Sequence, residues 1–218
     1  MNIALILSGG VGRRFGNELP KQYNRINGKV VIDYVIEACL SSEKTNKIIV
    51  VCDPSYVDQS DILPFRDDID VVFNGKDRYD SLNNGLLYIN EKYKCTNICI
   101  FDAVAPMVYP ELIDMYFDKL NEYDCVITCQ KITGELGNYN FDTLLRENYY
   151  ITQSPESFKY KLLTDCFNPN FESTELANQL PKDSKRYLNF EFKQNVKITY
   201  AFDLEYIGQL LKYFKNNS

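Results

Sequence analysis

The stretch Leu7-Ser8-Gly9-Gly10-Val11-Gly12-Arg13-Arg14-Phe15-Gly16, followed closely by Pro20-Lys21-Gln22, decides how this chain is read. It comes straight after the apolar run Ile3 to Leu7, which predicts a first, buried strand. Glycines at 9, 10 and 12 crowd the turn. Glycine permits positive φ and close backbone approach, so the N–H groups of such a loop can converge on an anion. Arg13, Arg14 and Lys21 add positive charge. A neutral loop of this shape suits a sugar or a simple turn, whereas this one suits a polyphosphate. The plainer alternative is a glycine-rich surface turn with two solvated arginines. The coincidence of glycines, paired arginines and Pro-Lys directly after a strand weighs against it.

Two familiar phosphate loops do not match. The P-loop pattern, with its Gly-Lys-Ser/Thr ending, is absent. Gly10 and Gly12 fit the first half of a dinucleotide fingerprint, but Gly16 arrives one residue late and Arg13-Arg14-Phe15 occupy the place where helix and strand pack closely. The pattern G-x-G-x-R followed by Pro-Lys resembles the signature loop of sugar-phosphate nucleotidyltransferases.

Working outward, 218 residues suffice for a single domain, read as spanning 1–218, and a composition of 45% hydrophobic and 25% charged is ordinary for a globular protein. The net charge of −6 argues against nucleic acid as a partner, so the positive charge of the first loop is local. No run approaches the roughly 18 apolar residues of a membrane span. The N-terminus enters a strand at once, without the features of a signal peptide. Seven cysteines, mostly in apolar segments, read as reduced thiols of a cytoplasmic protein. Cys95/Cys99 and Cys125/Cys129 share a spacing that invites zinc, but it is not a usual zinc spacing. The chain contains no histidine, which excludes Ser-His or Cys-His catalysis and imidazole metal sites.

Periodicity predicts helices over 30–40, 77–93, 110–120, 157–167, 172–180 and 203–214, and strands over 3–7, 47–52, 70–73, 97–101, 125–129 and 196–200. Alternation of strands with helices predicts an α/β, Rossmann-like fold, a mainly parallel sheet with helices on both faces. From 131 to 151 the pattern breaks. Short apolar pieces at 141–145 and 149–151 suggest a hairpin, a protruding β-arm that is marginal alone and reasonable if it docks on a second subunit.

Three further places carry chemistry. Gly75-Lys76-Asp77-Arg78-Tyr79-Asp80-Ser81 sits at a strand-to-helix junction, where free N–H groups point outward. Arg78 suits a phosphate and Ser81 a ribose or base edge; the alternative is a capped helix start with solvated charges. Asp102 lies just past a buried strand, in the crevice where open α/β sheets bind ligands. One carboxylate with phosphate oxygens and waters is the usual recipe for Mg²⁺. The alternative is an aspartate capping the next turn. Lys197 sits inside a β-branched run, which is odd for a central strand and ordinary for an edge.

Together these residues suit nucleotidyl transfer. A substrate phosphate attacks the α-phosphorus of a nucleoside triphosphate and pyrophosphate leaves. The nucleophile is already an anion, so the work is charge neutralisation and in-line positioning. Arg14 and Lys21 are assigned to the β- and γ-phosphates, Asp102 to Mg²⁺, and Lys197 to the pentacovalent phosphorus. Ser81, with Ser8, Gly9, Gly10, Gly12 and Arg13 of the first loop, is assigned to the nucleotide.

At this level the chain resembles the cytidylyltransferases that act on methylerythritol phosphate and on ribitol-5-phosphate. The likeness runs from Ile3 to Leu211. It is carried by Ser8 to Phe15, Pro20-Lys21-Gln22-Tyr23, Arg78-Tyr79-Asp80-Ser81 with Gly85-Leu86, Asp102-Ala103-Val104-Ala105-Pro106, Gln153-Ser154-Pro155-Glu156-Ser157-Phe158, Asn195-Val196-Lys197-Ile198-Thr199 and Asp203-Leu204. The resemblance implies CTP and Mg²⁺, a small phosphorylated acceptor, and a homodimer formed through the 131–151 arm. It implies that Arg146 of the arm reaches the neighbour's acceptor phosphate, with Ser154 and Thr133 as further acceptor contacts. Departures gather on the acceptor side: Ala105 for arginine, Phe101 for histidine, Ser154 and Glu156 for Thr and Gln, and Glu175 near a usual Thr-Asp. A lost arginine weakens a phosphate contact or signals a differently shaped acceptor. The acceptors expected are therefore, in order, a ribitol-5-phosphate-like polyol phosphate for a cell-surface polymer such as capsule or teichoic acid, methylerythritol phosphate of isoprenoid synthesis, and another phosphorylated small molecule. A non-catalytic nucleotide-binding paralogue is the reading from another class.

Overall fold

A computed structural model of the chain describes residues 1–10, 15–16, 19–57 and 68–217. Its strands are β1 (Asn2–Ser8), the short pair β2 (Arg25–Ile26) and β3 (Lys29–Val30), β4 (Lys47–Cys52), β5 (Ile69–Phe73), β6 (Asn97–Asp102), β7 (Cys125–Lys131), β8 (Tyr150–Lys159) and β9 (Arg186–Asn189). Its helices are α1 (Val31–Ser41), α2 (Arg78–Lys92), α3 (Pro110–Lys119), α4 (Tyr160–Cys166) and α5 (Asp203–Asn217). Seven strands form one sheet in the order β5-β4-β1-β6-β8-β7-β9. Neighbours are parallel throughout, except that β8 runs antiparallel to both β6 and β7.

Side chains alternate across a strand, and here both faces are apolar. Ala4 and Ile6, Ile48 and Val50, and Cys99 and Phe101 pack with α1, α3 and Ile207 of α5 on one face. Ile3 and Leu5, Ile49 and Val51, and Ile98 and Ile100 pack with α2 and α4 on the other. The expected mainly parallel sheet with helices on both faces is what forms. Its helices start on sequence signals: the Asp77 carboxylate accepts from the Asp80 N–H ahead of α2 at 2.9 Å, and Pro110 opens α3. None of the helices in the described residues is long and apolar enough to cross a membrane. All seven cysteines are free thiols, five of them buried.

Four expectations need correction. The helix expected over 157–167 begins only at Tyr160, because 150–159 is a strand inserted between β6 and β7. Pro155 disguised it, since proline argues against a central strand. A register shift at Ile127/Thr128, which moves the pairing from Glu156 to Gln153, accommodates it. Residues 196–200 form no strand; the segment is fixed to the turn after β6 by an Ile198 N–H to Val104 carbonyl bond of 3.0 Å. The helix expected over 172–180 reduces to one 3₁₀ turn, Leu176–Gln179, and β9 was unsigned by its Arg-Tyr-Leu-Asn sequence. Of the two hairpin pieces expected within 141–151, 141–145 forms no strand and the second opens β8 at Tyr150: β7 and β8 pair out to Lys131 and Tyr150, and 132–149 forms a loop with one 3₁₀ turn at Arg146–Asn148. Tyr139 and Phe141 of this arm are almost wholly exposed.

Buried polar groups lock the second half of the sheet to α3. The Tyr116 hydroxyl meets Thr128 Oγ1 at 2.5 Å and accepts from Asn189 Nδ2 at 3.1 Å, while the Thr128 hydroxyl bonds to the Pro155 carbonyl at 2.7 Å. Tyr116→Phe leaves two buried partners short of a bond, so it should lower unfolding free energy by about 1–3 kcal/mol. Urea unfolding checks this; an unchanged midpoint would show that the hydroxyl does not tie these elements together.

Candidate active site

The chain runs from β1 outward to β4 and β5, then returns to the other side of β1 as β6. That reversal opens a crevice beyond the C-terminal ends of β1 and β6, the place where open α/β sheets bind ligands. Ser8 closes β1, Asp102 closes β6, and Asn74-Gly75 follow β5. A crevice of about 440 Å³ is lined from these ends by Ser8, Gly9, Gly10, Asn74, Gly75 and Asp102, and by Lys21, Lys76, Asp77, Arg78, Ser81 and Lys197. Four cationic side chains face two carboxylates there, on a chain whose net charge is −6. The local field suits an anion.

Backbone bonding holds the first loop. The buried Gln22 amide donates to the Ser8 carbonyl at 2.6 Å and to the Gly10 carbonyl at 3.0 Å. Lys21 beside it donates to the Ile198 carbonyl at 2.7 Å, which ties the Pro-Lys turn to the 195–199 segment. Asn74 crosses from the second loop and donates to the carbonyls of Gly9 (3.3 Å) and Gly75 (3.1 Å). A Cβ on Gly9 would stand 2.4 Å from that of Asn74, so the two loops approach as only glycine permits. Ser81 turns inward: its hydroxyl accepts from the Gly75 N–H at 3.1 Å and donates to the Asp77 carbonyl at 2.7 Å. It shapes the loop that lines the crevice. Gly12, Arg13 and Arg14 lie outside the described residues.

The strongest electrostatic feature is Asp102. Its two oxygens face Arg78 Nη2 at 3.3 Å and Lys197 Nζ at 2.5 Å. Burial pushes the Asp102 carboxyl upward, but the Arg78 and Lys197 charges outweigh it and hold the group below the usual carboxylate range. It is therefore an anion at neutral pH, a hard oxygen donor of the kind Mg²⁺ takes. Lys197 belongs to the site, though not through the strand expected to carry it.

The same three residues form one wall of a second crevice of about 460 Å³, lined also by Ala105, Thr152, Gln153, Ser154, Glu156, Thr174 and Asn195. The Ser154 hydroxyl accepts from the Asp102 N–H at 2.8 Å, and the Ser154 carbonyl accepts from Asn195 Nδ2 at 2.6 Å. Arg78 Nη1, Gln153 Oε1 and Asn195 Oδ1 are buried and find no hydrogen-bond partner among the described residues. Thr133 and Arg146 do not line this crevice within the chain. Arg146 Nη1 donates to the Thr133 carbonyl at 3.2 Å, inside the arm. Sequence reasoning missed Gln22 and Asn74 as loop staples, and it held Glu156 only as a departure on the acceptor side, without its burial.

Glu156 is 6% exposed. Burial pushes its carboxyl up to about 8, with Arg78 opposing and Asp102 and Glu175 reinforcing the push.

Comparison with known proteins fits this geometry. Residues 2–212 match the family model for 2-C-methyl-D-erythritol 4-phosphate cytidylyltransferase. The enzyme of that name from Lachnospira eligens is 28% identical over 97% of this chain and 100% of its own length. That of Thermosipho melanesiensis is 31% identical over 95% and 96%. The bifunctional ribulose 5-phosphate reductase/CDP-ribitol pyrophosphorylase Bcs1 of Haemophilus influenzae is 30% identical over 77% of this chain and 37% of its own. The crystal structure of the 4-diphosphocytidyl-2C-methyl-D-erythritol synthase of Anaerococcus prevotii superposes with a TM-score of 0.81 at 20% identity, covering 97% of this chain and 98% of that one, which supports the fold.

Two outcomes follow from the geometry. A Cβ on Gly75 would stand 2.3 Å from that of Asp80 and 2.8 Å from the Asp80 carbonyl carbon, so Gly75→Ala must displace the loop backbone. It should weaken CTP binding about tenfold or more, measured by calorimetric titration, because small displacements of positioning groups are costly. For Glu156, the unfolded chain ionises near pH 4.5 while the folded one keeps its proton to about 8, so stability falls as pH rises between those values. Glu156→Gln removes that slope and should be more stable than the parent by roughly 2–3 kcal/mol at pH 7, with little difference at pH 4. Equal offsets at both pH values would contradict the buried, protonated carboxyl.

Proposed function

The chain belongs to the 2-C-methyl-D-erythritol 4-phosphate cytidylyltransferase family, and from that membership we propose that it transfers CMP from CTP to methylerythritol phosphate with release of pyrophosphate. Cytidylyl transfer itself is the family's activity. The relatives weigh toward methylerythritol phosphate, which the altered acceptor residues had placed second, and over a ribitol phosphate. Ribitol-5-phosphate is kept as the second reading, because the CDP-ribitol pyrophosphorylase relative is 30% identical and Ala105 leaves the second crevice without a guanidinium at that position.

The observation that carries the reading is the pair of crevices meeting at Arg78, Asp102 and Lys197. The first takes the nucleotide and the second the acceptor, so the acceptor phosphate meets the α-phosphate at their common wall. An acceptor phosphate oxygen forms a bond to the α-phosphorus, and the α–β bridging bond breaks toward pyrophosphate. The attacking oxygen is already anionic, so no base is required. Lys197 stands where negative charge grows on the five-coordinate phosphorus, and Lys21 beside the first loop offsets the leaving pyrophosphate. Arg14 has the same task by its place in the motif. The loop glycines let backbone N–H groups approach the phosphates. Asp102 is the residue that would hold Mg²⁺, and its ionised state fits that ion. When bound, the ion would offset charge on the triphosphate.

The homodimer and the reach of Arg146 into a neighbour's second crevice are proposed together. The exposed Tyr139, Phe141 and Leu145 of the arm support them, since apolar side chains presented together suit a protein partner. Cytoplasmic residence is proposed on the seven free thiols.

Pyrophosphate release with CTP tests the reading. Methylerythritol phosphate should support turnover with the best kcat/KM among polyol phosphates. Preference for ribitol-5-phosphate would move the second reading to first, and CTP binding with no productive acceptor would leave a nucleotide-binding paralogue. Lys21→Ala and Lys197→Ala should each lower kcat by about 10²–10³-fold with the fold intact by circular dichroism.

A further inference from the structure

Glu156 has no assigned task, and its surroundings are unusual for a carboxyl. It lies in the middle of the sheet, on β8, with its backbone paired to Ile100 on one side and Ile127 on the other. Its residue is 6% exposed, and what is exposed faces the second crevice. Among the described residues its side chain has no hydrogen-bond partner; its neighbours act on it through charge alone. The carboxyl is sunk in the sheet yet lines the second crevice, so its hydrogen-bonding capacity is open only on that side. The missing partner is to be sought in the crevice that the carboxyl faces.

The chemistry of that partner follows from the charges around it. Arg78 of α2 and Lys197 of the 195–199 segment gather at the wall shared with the nucleotide crevice, with Asp102 between them. The acceptor's phosphate must lie at that wall, where it can reach the α-phosphorus. The rest of the acceptor therefore extends over Ala105 and Glu156. Asp102 and Glu175 both place negative charge toward Glu156, and its burial favours the neutral acid. A neutral carboxyl offers one O–H donor and one carbonyl acceptor. A hydroxyl group matches both; a phosphate oxygen matches only the donor and brings negative charge toward Asp102 and Glu175. The Ala105 methyl beside it adds no competing polar group.

We propose that Glu156 is a specificity-determining residue for the acceptor, its carboxyl binding an uncharged hydroxyl of the polyol and not the phosphate. This rests on the reading of the second crevice as the acceptor site of a cytidylyltransferase. A site built to hydrogen-bond a hydroxyl rejects the analogue that lacks it far more strongly than an apolar site rejects one that has it. Glu156 would then be the residue by which this chain distinguishes a polyol phosphate from its deoxy counterparts.

The test is steady-state pyrophosphate release with saturating CTP and two acceptor sets, the preferred polyol phosphate and its monodeoxy analogues. Glu156→Leu should raise the KM for the parent acceptor by about tenfold or more, the scale of one lost buried hydrogen bond, with the KM for CTP shifted less than about twofold. The wild-type protein should disfavour one particular deoxy analogue by about 100-fold in kcat/KM, and the leucine variant should lose most of that preference while keeping it against the others. Glu156→Gln, which retains a donor and an acceptor, should restore part of the discrimination. Glu156→Ala, assayed in the same way, covers the case in which leucine does not fit the sheet. If the variants turn over the parent and every deoxy analogue in the wild-type ratios, Glu156 is structural and this inference fails, while pyrophosphate release still upholds the function. If no polyol phosphate yields pyrophosphate with the wild-type protein, the function and this inference fall together.

Discussion

The arrangement depends on one carboxylate held between two cations. Asp102 ends the strand beside β1, and Arg78 and Lys197 reach it from elements 24 and 95 residues away in sequence. Burial alone would drive its proton back on, yet the two opposite charges keep it ionised. That balance has a structural consequence. A buried charge without its partners is strongly unfavourable, so α2 and the 195–199 segment are drawn to the end of β6 by the same interaction. Both crevices take their common wall from it.

Around that wall the two sides are built differently. In the first crevice polar side chains are spent on holding backbone. Gln22 and Asn74 bond to loop carbonyls, glycines at 9 and 75 allow the loops to close on each other, and Ser81 is consumed within its own turn. Lys21, Lys76, Arg78 and Lys197 bring positive charge to that crevice, which suits an anion. The second crevice draws more on side chains, with Ser154 of β8 bonded to the Asp102 N–H and Gln153 and Glu156 of the same strand beside Thr174 and Asn195. A side-chain site can change its specificity by substitution; a backbone site resists it. Ala105, Ser154 and Glu156, where the sequence was expected to depart from the resembled pattern, all line that second crevice.

Much of the site was legible from local pattern. The glycine loop, Lys21, Arg78, Asp102 and Lys197 were each visible because chemistry placed at the end of a strand or the start of a helix leaves a short signature in sequence. Their convergence was inferred from the chemistry, and in the structure Lys21, Arg78, Asp102 and Lys197 do line one crevice. The strand β8 was not legible. Its proline and polar residues contradict a central strand, and only pairing on both sides, with a register shift past Ser154 and Pro155, makes it one. Lys197 shows the opposite error. A β-branched run predicted a strand, but the segment finds its place through single hydrogen bonds to Lys21 and Val104.

By itself the sequence determined the alternation of strands and helices, the apolar faces that bury them, and the loop chemistry suited to a triphosphate. These are properties of near neighbours in the chain, where periodicity and turn residues act directly. Only the tertiary structure decided where β8 enters the sheet, that the Gln22 and Asn74 amides brace the loops, and that the Glu156 carboxyl lines the second crevice. Those depend on contacts between residues far apart in the chain, whose energies no local pattern encodes.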